Sequence, residues 1–240
     1  MRTIVMAALL PLAACGNSIS FDGDDGTAIA AQGSGTTRTF AASDFDRVEL
    51  RGSDDVAVRV GPAFSVRAEG TPAILDRLKI TRDGRTLKIG RQKGVYREGT
   101  VRILVTLPRI AAAAISGSGD MSVDRVTGGG FDASVAGSGD LSLPSLQVER
   151  LALSLAGSGD VTAAGMARAL RVNIAGSGDL SARRLVASGA DVNVVGSGSV
   201  AATVRGQATV TSMGSGDVDL GSAARCSVTK MGSGTVRCDG

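Results

Sequence analysis

Three cysteines, a recurring aspartate and a run of cations are the residues of this 240-residue chain whose types and spacing could do chemistry. Asp120, Asp140, Asp160, Asp179 and Asp217 each close a Gly-Ser-Gly-Asp tetrapeptide, and Ser199 and Thr235 take that place in two further copies. Stacked carboxylates could hold a ladder of calcium ions, or could cap turns by accepting hydrogen bonds from backbone N–H groups. Calcium β-rolls use a nine-residue repeat with a second loop that completes the oxygen shell, whereas the copies here lie 18 to 20 residues apart. Asp, Ser and Thr can all cap a turn, so capping explains the substitutions and no metal or cofactor is expected. Cys226 and Cys238 flank the last copy, six residues before and six after its first glycine. They are expected to face each other across the interior, as a disulfide in an oxidising compartment or as a buried thiol pair. Residues 77–102 hold nine cations, among them Lys79, Arg82, Arg85, Lys88, Arg91 and Lys93, against Asp83 and Glu98. They could meet an anionic partner such as a phosphate-bearing lipid or an acidic glycan, or be the solvated side of a hairpin.

What is missing narrows the chemistry further. The chain has no His, which removes Ser-His-Asp and Cys-His catalysis, His-ligated zinc and the commonest general base. Its 26 basic and 23 acidic residues are nearly balanced, and Tyr96 is the sole Tyr in a chain without Trp, so nucleic acid is not an expected partner.

The elements that would carry these residues follow from the repeat. Aligned on the first glycine of each copy (Gly117, Gly137, Gly157, Gly176, Gly196, Gly214 and Gly232), the position four residues on is Met, Leu or Val in every copy. The position six on is also small or apolar, and the flank before each turn has its own apolar column from Ala133 to Val228. Period-two alternation on both flanks predicts two strands joined at a glycine corner. Such a unit cannot enclose a core alone, so the copies must stack in parallel, each strand pairing with its equivalent above and below. The expected fold is all-β, a parallel β-helix of about 18–20 residues per coil, its core built of Val, Leu, Ile and Ala because only 2% of residues are aromatic. Regular coils are expected over 111–240. Lys230 and Ser212 interrupt the inward column near the end, where a staple would be most useful.

Residues 39–110 alternate as well, and 78–89 read as a hairpin around Asp83-Gly84, with a short helical turn near 72–78. They are expected to form irregular early coils in preference to a separate cap.

The first residues resemble a bacterial lipoprotein signal peptide: Arg2, an apolar stretch from Ile4 to Leu10, then Leu12-Ala13-Ala14-Cys15. The stretch is too short to span a bilayer, which needs about 20 residues. The resemblance implies removal of 1–14, diacylglycerol on Cys15, and a flexible tether over 15–38, rich in Gly, Ser, Thr and Asp. Gly16 after the cysteine favours the outer membrane.

The alternating early strands, the Val101–Leu107 strand ending at Pro108, and the entry Ile115-Ser-Gly-Ser-Gly-Asp120 into repeated turns resemble the head GIN domain family, described as autotransporter adhesins. The likeness covers about residues 39–225 and implies a parallel β-helix in the cell envelope. No translocator-like segment follows, so a lipid anchor would take its place. The expectation is a non-enzymatic envelope lipoprotein that binds a glycan or an envelope protein through its faces. The alternative is a polysaccharide-active β-helix enzyme, a lyase or hydrolase, which would need acid or base groups converging in one groove.

Overall fold

A computed structural model describes residues 26–92 and 99–238; Cys15, the signal-like segment and Lys93 lie outside the described residues. The chain forms a β-solenoid of about six turns, with 67% of residues in strands and 2% in helix.

The lower part is built from β1 (Thr27–Ala28), β2 (Ala31–Gln32), β3 (Thr37–Phe40), β4 (Arg47–Gly52), β5 (Asp55–Val60) and β6 (Ser65–Glu69). The short helix α1 (Pro72–Leu75), β7 (Leu78–Asp83), β8 (Thr86–Arg91) and β9 (Arg102–Leu107) complete it. Pro at the first helical position fixes φ for the turn, and Ile74 and Leu75 anchor it to the core. The coils proper are β10 (Ala112–Gly117), β11 (Met121–Val123), β12 (Val126–Gly137), β13 (Leu141–Gly157), β14 (Val161–Gly176) and β15 (Leu180–Gly196). They continue as β16 (Val200–Val204), β17 (Gln207–Gly214), β18 (Val218–Asp219), β19 (Arg225–Met231) and β20 (Val236–Arg237).

Each coil has three sides, one more than the apolar columns predict. The first side leads into the glycine corner and stacks in parallel as β8, β4, β10, β12, β13, β14, β15, β17 and β19. The second leaves the corner and stacks as β9, β5, β11 and the opening residues of β13 and the strands above it. The third is a short run at 126–128, 146–148, 165–167 and 185–187, paired coil to coil. A register shift between Leu143 and Leu146 marks the bend into it. Two or three residues per coil are too few to show period-two alternation, which hides this side from a pattern search.

The stacking order departs from chain order at the bottom. After β4 and β5 the chain drops to lay β8 and β9 beneath them, then returns above to begin β10. Residues 39–110 are therefore part coil and part cap, correcting the expectation of early coils alone. In the cap, β7 lies antiparallel on β8 with β1 on β7, while β6 lies antiparallel on β9, with β3 on β6 and β2 on β3. The hairpin expected at 78–89 is β7–β8, closing at Asp83 and Thr86. Of the tether expected over 15–38, residues 15–25 lie outside the described residues, and β1, β2 and the start of β3 pair into this cap.

Inward columns fill the prism and taper upward. In register on the first side run Phe131, Leu151, Leu170, Ala190, Ala208 and Cys226. Phe131 is the largest fully buried side chain, and the column shrinks to alanine before the disulfide takes over.

Candidate functional site

At each corner both glycines lie against the coil below, and the first also has a positive φ. Gly117 has φ 136°, which disfavours any side chain. Stacking bears on both positions: a Cβ on Gly137 would lie 2.2 Å from the Gly117 carbonyl oxygen, and at the third position, where φ is not positive, one on Gly139 or Gly159 would lie 2.1 Å from the carbonyl oxygen of Gly119 or Gly139. Backbone stacking, not dihedral freedom, excludes a side chain there. The first glycine's carbonyl accepts two N–H groups from the next corner, as Ser138 and Gly139 donate to Gly117 at 2.9 and 3.1 Å.

The aspartates complete this ladder. The backbone N–H of Asp140 donates to Oδ1 of Asp120 at 2.9 Å, that of Asp160 to Asp140 at 2.9 Å, and that of Asp179 to Asp160 at 2.8 Å. Ser199 donates to Asp179 at 2.7 Å, and Thr235 to Asp217 at 2.7 Å through both its N–H and its hydroxyl. The acceptor role is met between coils, at a separation of 18 to 20 residues, and not inside the turn that the aspartate closes. Where Ser199 replaces Asp, its Oγ accepts from Asp217 at a long 3.4 Å. Asp217 is held below the ordinary carboxylate range by the Thr235 backbone N–H first and its hydroxyl second.

Along this ridge Asp55, Asp120, Asp140 and Asp160 line a shallow groove of about 620 Å³ with Arg102, Ser122, Ser142 and Thr162. In this groove Asp120, Asp140 and Asp160 are in the same situation, each with one oxygen on a backbone N–H, and only Asp217, higher up the ridge, adds a hydroxyl donor. Among the described residues no group of three or more potential ligands could hold a metal ion.

An eighth corner escapes the Gly-Ser-Gly search. Gly52-Ser53-Asp54-Asp55 lies in register beneath Gly117, so that Asp54 replaces the third-position glycine. It is fully buried; its carboxylate takes a fork of two hydrogen bonds from Arg91 and a third from the Val101 N–H at 2.8 Å. Arg91 also donates to the Gly99 carbonyl at 2.7 Å, and the ion pair holds its pKa above the ordinary value, chiefly through the hydrogen bond. The signal available beforehand was Gly-Ser-x-Asp with matching apolar columns at Val48, Leu50, Val56 and Val58.

The cationic stretch does not form one patch. Arg91 closes the corner just described, Lys88 pairs with Asp83 at 2.7 Å, and Arg82 donates to the Gly84 carbonyl. Arg85 binds Asp46, as does Arg109 at 3.2 Å, beside the Phe45–Phe64 ring pair. Burial raises the Asp46 pKa, but the hydrogen bonds and charges of Arg85 and then Arg109 outweigh it and leave it lowered. Lys79 lies on the outer surface of the first side, beside Gly90 of β8.

Cys226 and Cys238 are joined as a disulfide, Cα to Cα 6.0 Å, across the last corner. The first side's outer surface carries a polar register column, Ser134, Ser154, Asn173, Asn193, Thr211 and Thr229, beside a column that runs from Ala136 to the exposed Val195, Met213 and Met231.

A three-sided parallel solenoid with a corner ladder, capped below and stapled above, defines the class of protein. The chain belongs to the family described as "Putative auto-transporter adhesin, head GIN domain", whose profile matches residues 44–238. Solved structures share the fold. A putative adhesin from Bacteroides fragilis superposes with a TM-score of 0.79 at 20% identity, over 84% of this chain and 95% of that one. A putative lipid binding protein from Parabacteroides distasonis gives 0.69 at 24% identity, with 84% and 95% covered. A putative adhesin from Parabacteroides merdae gives 0.61 at 18% identity, with 85% and 95% covered. Among curated proteins there is no match.

Proposed function

We propose that this protein is a non-enzymatic envelope lipoprotein, anchored through Cys15, that binds a glycan or an envelope protein through its solenoid faces. One observation carries it: the repeated polar groups that could do chemistry are consumed in stacking, each ladder carboxylate holding the coil above. What remains is surface, a face on which a column of Ser, Asn and Thr side chains, repeated at about 4.8 Å along the rod, runs beside an apolar one. A repeating polar column suits an extended partner such as a polysaccharide chain.

Glycoside hydrolysis needs two carboxyl groups whose environments push their pKa values apart, one protonated and one ionised. Neighbouring ladder carboxylates share one environment, which argues against the polysaccharide-active alternative. The family's adhesin description and the lipid-binding description of the Parabacteroides distasonis relative both favour attachment over turnover.

Incubation with acidic glycans should show retention without cleavage; turnover would overturn the proposal. Intact cells treated with protease should lose the protein, since adhesion requires the outer surface. Cys15→Ser should abolish palmitate labelling and release the chain into the soluble fraction.

A further inference from the structure

Charge is distributed unevenly along the rod. Residues 26–110 carry 15 Lys and Arg against nine Asp and Glu, while residues 111–240 carry ten against eleven. The excess therefore sits in the cap and the lowest coils. Many of those cations are spent on ion pairs, Arg67 with Glu69 among them, but Arg47, Arg59 and Arg77 also have exposed side chains there.

The described chain also begins at this end. Gly26 packs so closely on β7 that a Cβ would lie 2.4 Å from the Arg82 carbonyl oxygen. From Cys15 to Gly26 is eleven residues, which span at most about 40 Å when fully extended. An anchor at Cys15 thus holds the basic cap within reach of the bilayer, whereas β19 lies at the other end of the stack.

We infer that the cap docks on the anionic headgroups of the membrane that carries the anchor, so that the solenoid stands on its N-terminal end and presents its last coils outward. The inference rests on the anchor proposed above for where the chain is held, and adds which end faces the lipid. Three features fit a lipid surface better than a folded partner. The exposed cations stand on separate elements, Arg47 on β4, Arg59 on β5 and Arg77 just after α1, and a headgroup layer is a diffuse sheet of charge that needs no matching shape. The tether emerges from the same end. The column Ser116, Ala136, Ala156, Ala175, Val195, Met213 and Met231 grows more apolar with distance from the cap, leaving its bulky end free of the membrane.

The test uses the chain from Cys15 onward, which contains every described strand. The other two cysteines form the disulfide, so Cys15 can be coupled to a maleimide phospholipid whether or not cells acylate it. With no native Trp, a single Trp at Thr39→Trp in the cap or Thr229→Trp in β19 is an unambiguous donor to a dansyl-labelled lipid. In vesicles of phosphatidylcholine with about one third phosphatidylglycerol, energy transfer should be strong from position 39 and weak from 229. The contrast should shrink in pure phosphatidylcholine and at high salt. Arg47→Gln with Arg59→Gln and Arg77→Gln should reduce it by roughly half, while Arg150→Gln with Arg184→Gln and Arg205→Gln leaves it unchanged. Equal transfer from the two positions, stronger transfer from 229, or indifference to lipid charge would overturn the inference. Those results would leave the Cys15 labelling experiment unaffected.

Discussion

The two ends of the solenoid meet the same problem with different chemistry. A parallel stack leaves its last strand with unpaired N–H and C=O groups and its core open to water. At the lower end, antiparallel strands and α1 cover the stack, and the buried Asp54–Arg91 pair fills the corner where a further glycine turn would otherwise sit. At the upper end β19 pairs only with β17 among the described residues, and its inward Val228 is 46% exposed. There the disulfide ties β19 to the residue that follows β20, and Lys230, in an inward position, donates from Nζ to the Gly234 carbonyl at 2.8 Å. An inward lysine also discourages another strand from adding to the edge. The lower end is closed by folding more chain beneath it, the upper by a covalent bond and one charge. A regular repeat can propagate a core but cannot finish one, so its ends must depart from the repeat.

The contrast can be broken most severely at the bottom. Arg91→Ala strands the Asp54 carboxylate in the interior and should cost about 3–5 kcal/mol in chemical denaturation. Between the ends, Gly159→Ala should cost about 3 kcal/mol, because the backbone of the coil below must move to admit the methyl group. At the top, replacing Cys226 and Cys238 by Ser should cost about 2–3 kcal/mol, with hydrogen exchange rising in β19 and β20 while the cap stays protected. Equal loosening of cap and tip would show that the two closures are not independent.

The smallest expected effect is of pH. Asp219 is lowered chiefly by its hydrogen bond from Arg183, and Asp46 and Asp217 are lowered as described. A carboxyl group whose folded pKa lies below its unfolded value, about 3.9, stabilises fully above that value and loses the contribution as pH falls through the folded one. Thermal melts should therefore be flat above about pH 5 and decline below about pH 4. Arg183→Gln should shallow the decline, and a melt indifferent to acid would contradict these ion pairs.

Much of the upper half was legible in the residues. The corner spacing, the inward columns at Met121 to Val236 and the facing of Cys226 and Cys238 follow from periods of two and about twenty, which strand geometry and stacking impose on any such chain. The lower half was less legible because its partners are distant in sequence and out of order. Nothing local to Asp54 announces Arg91, 37 residues away, and the cap strands β3, β6 and β7 alternate much as coil strands do. The cation run left two readings open for a related reason: a charge has no visible partner until the fold supplies its carboxylate, as Asp46 does for both Arg85 and Arg109.

The amino-acid sequence alone determined that the chain stacks in parallel coils about a glycine corner, because those corners and columns are local and repeated. Tertiary structure decided what each polar group does. Asp140 acts on the N–H of Asp160, twenty residues on, and the third-position glycines exist because a carbonyl lies against them from the coil below. It also decided which end is covered and which is stapled, since closing a stack depends on what lies next in space and not on what lies next along the chain.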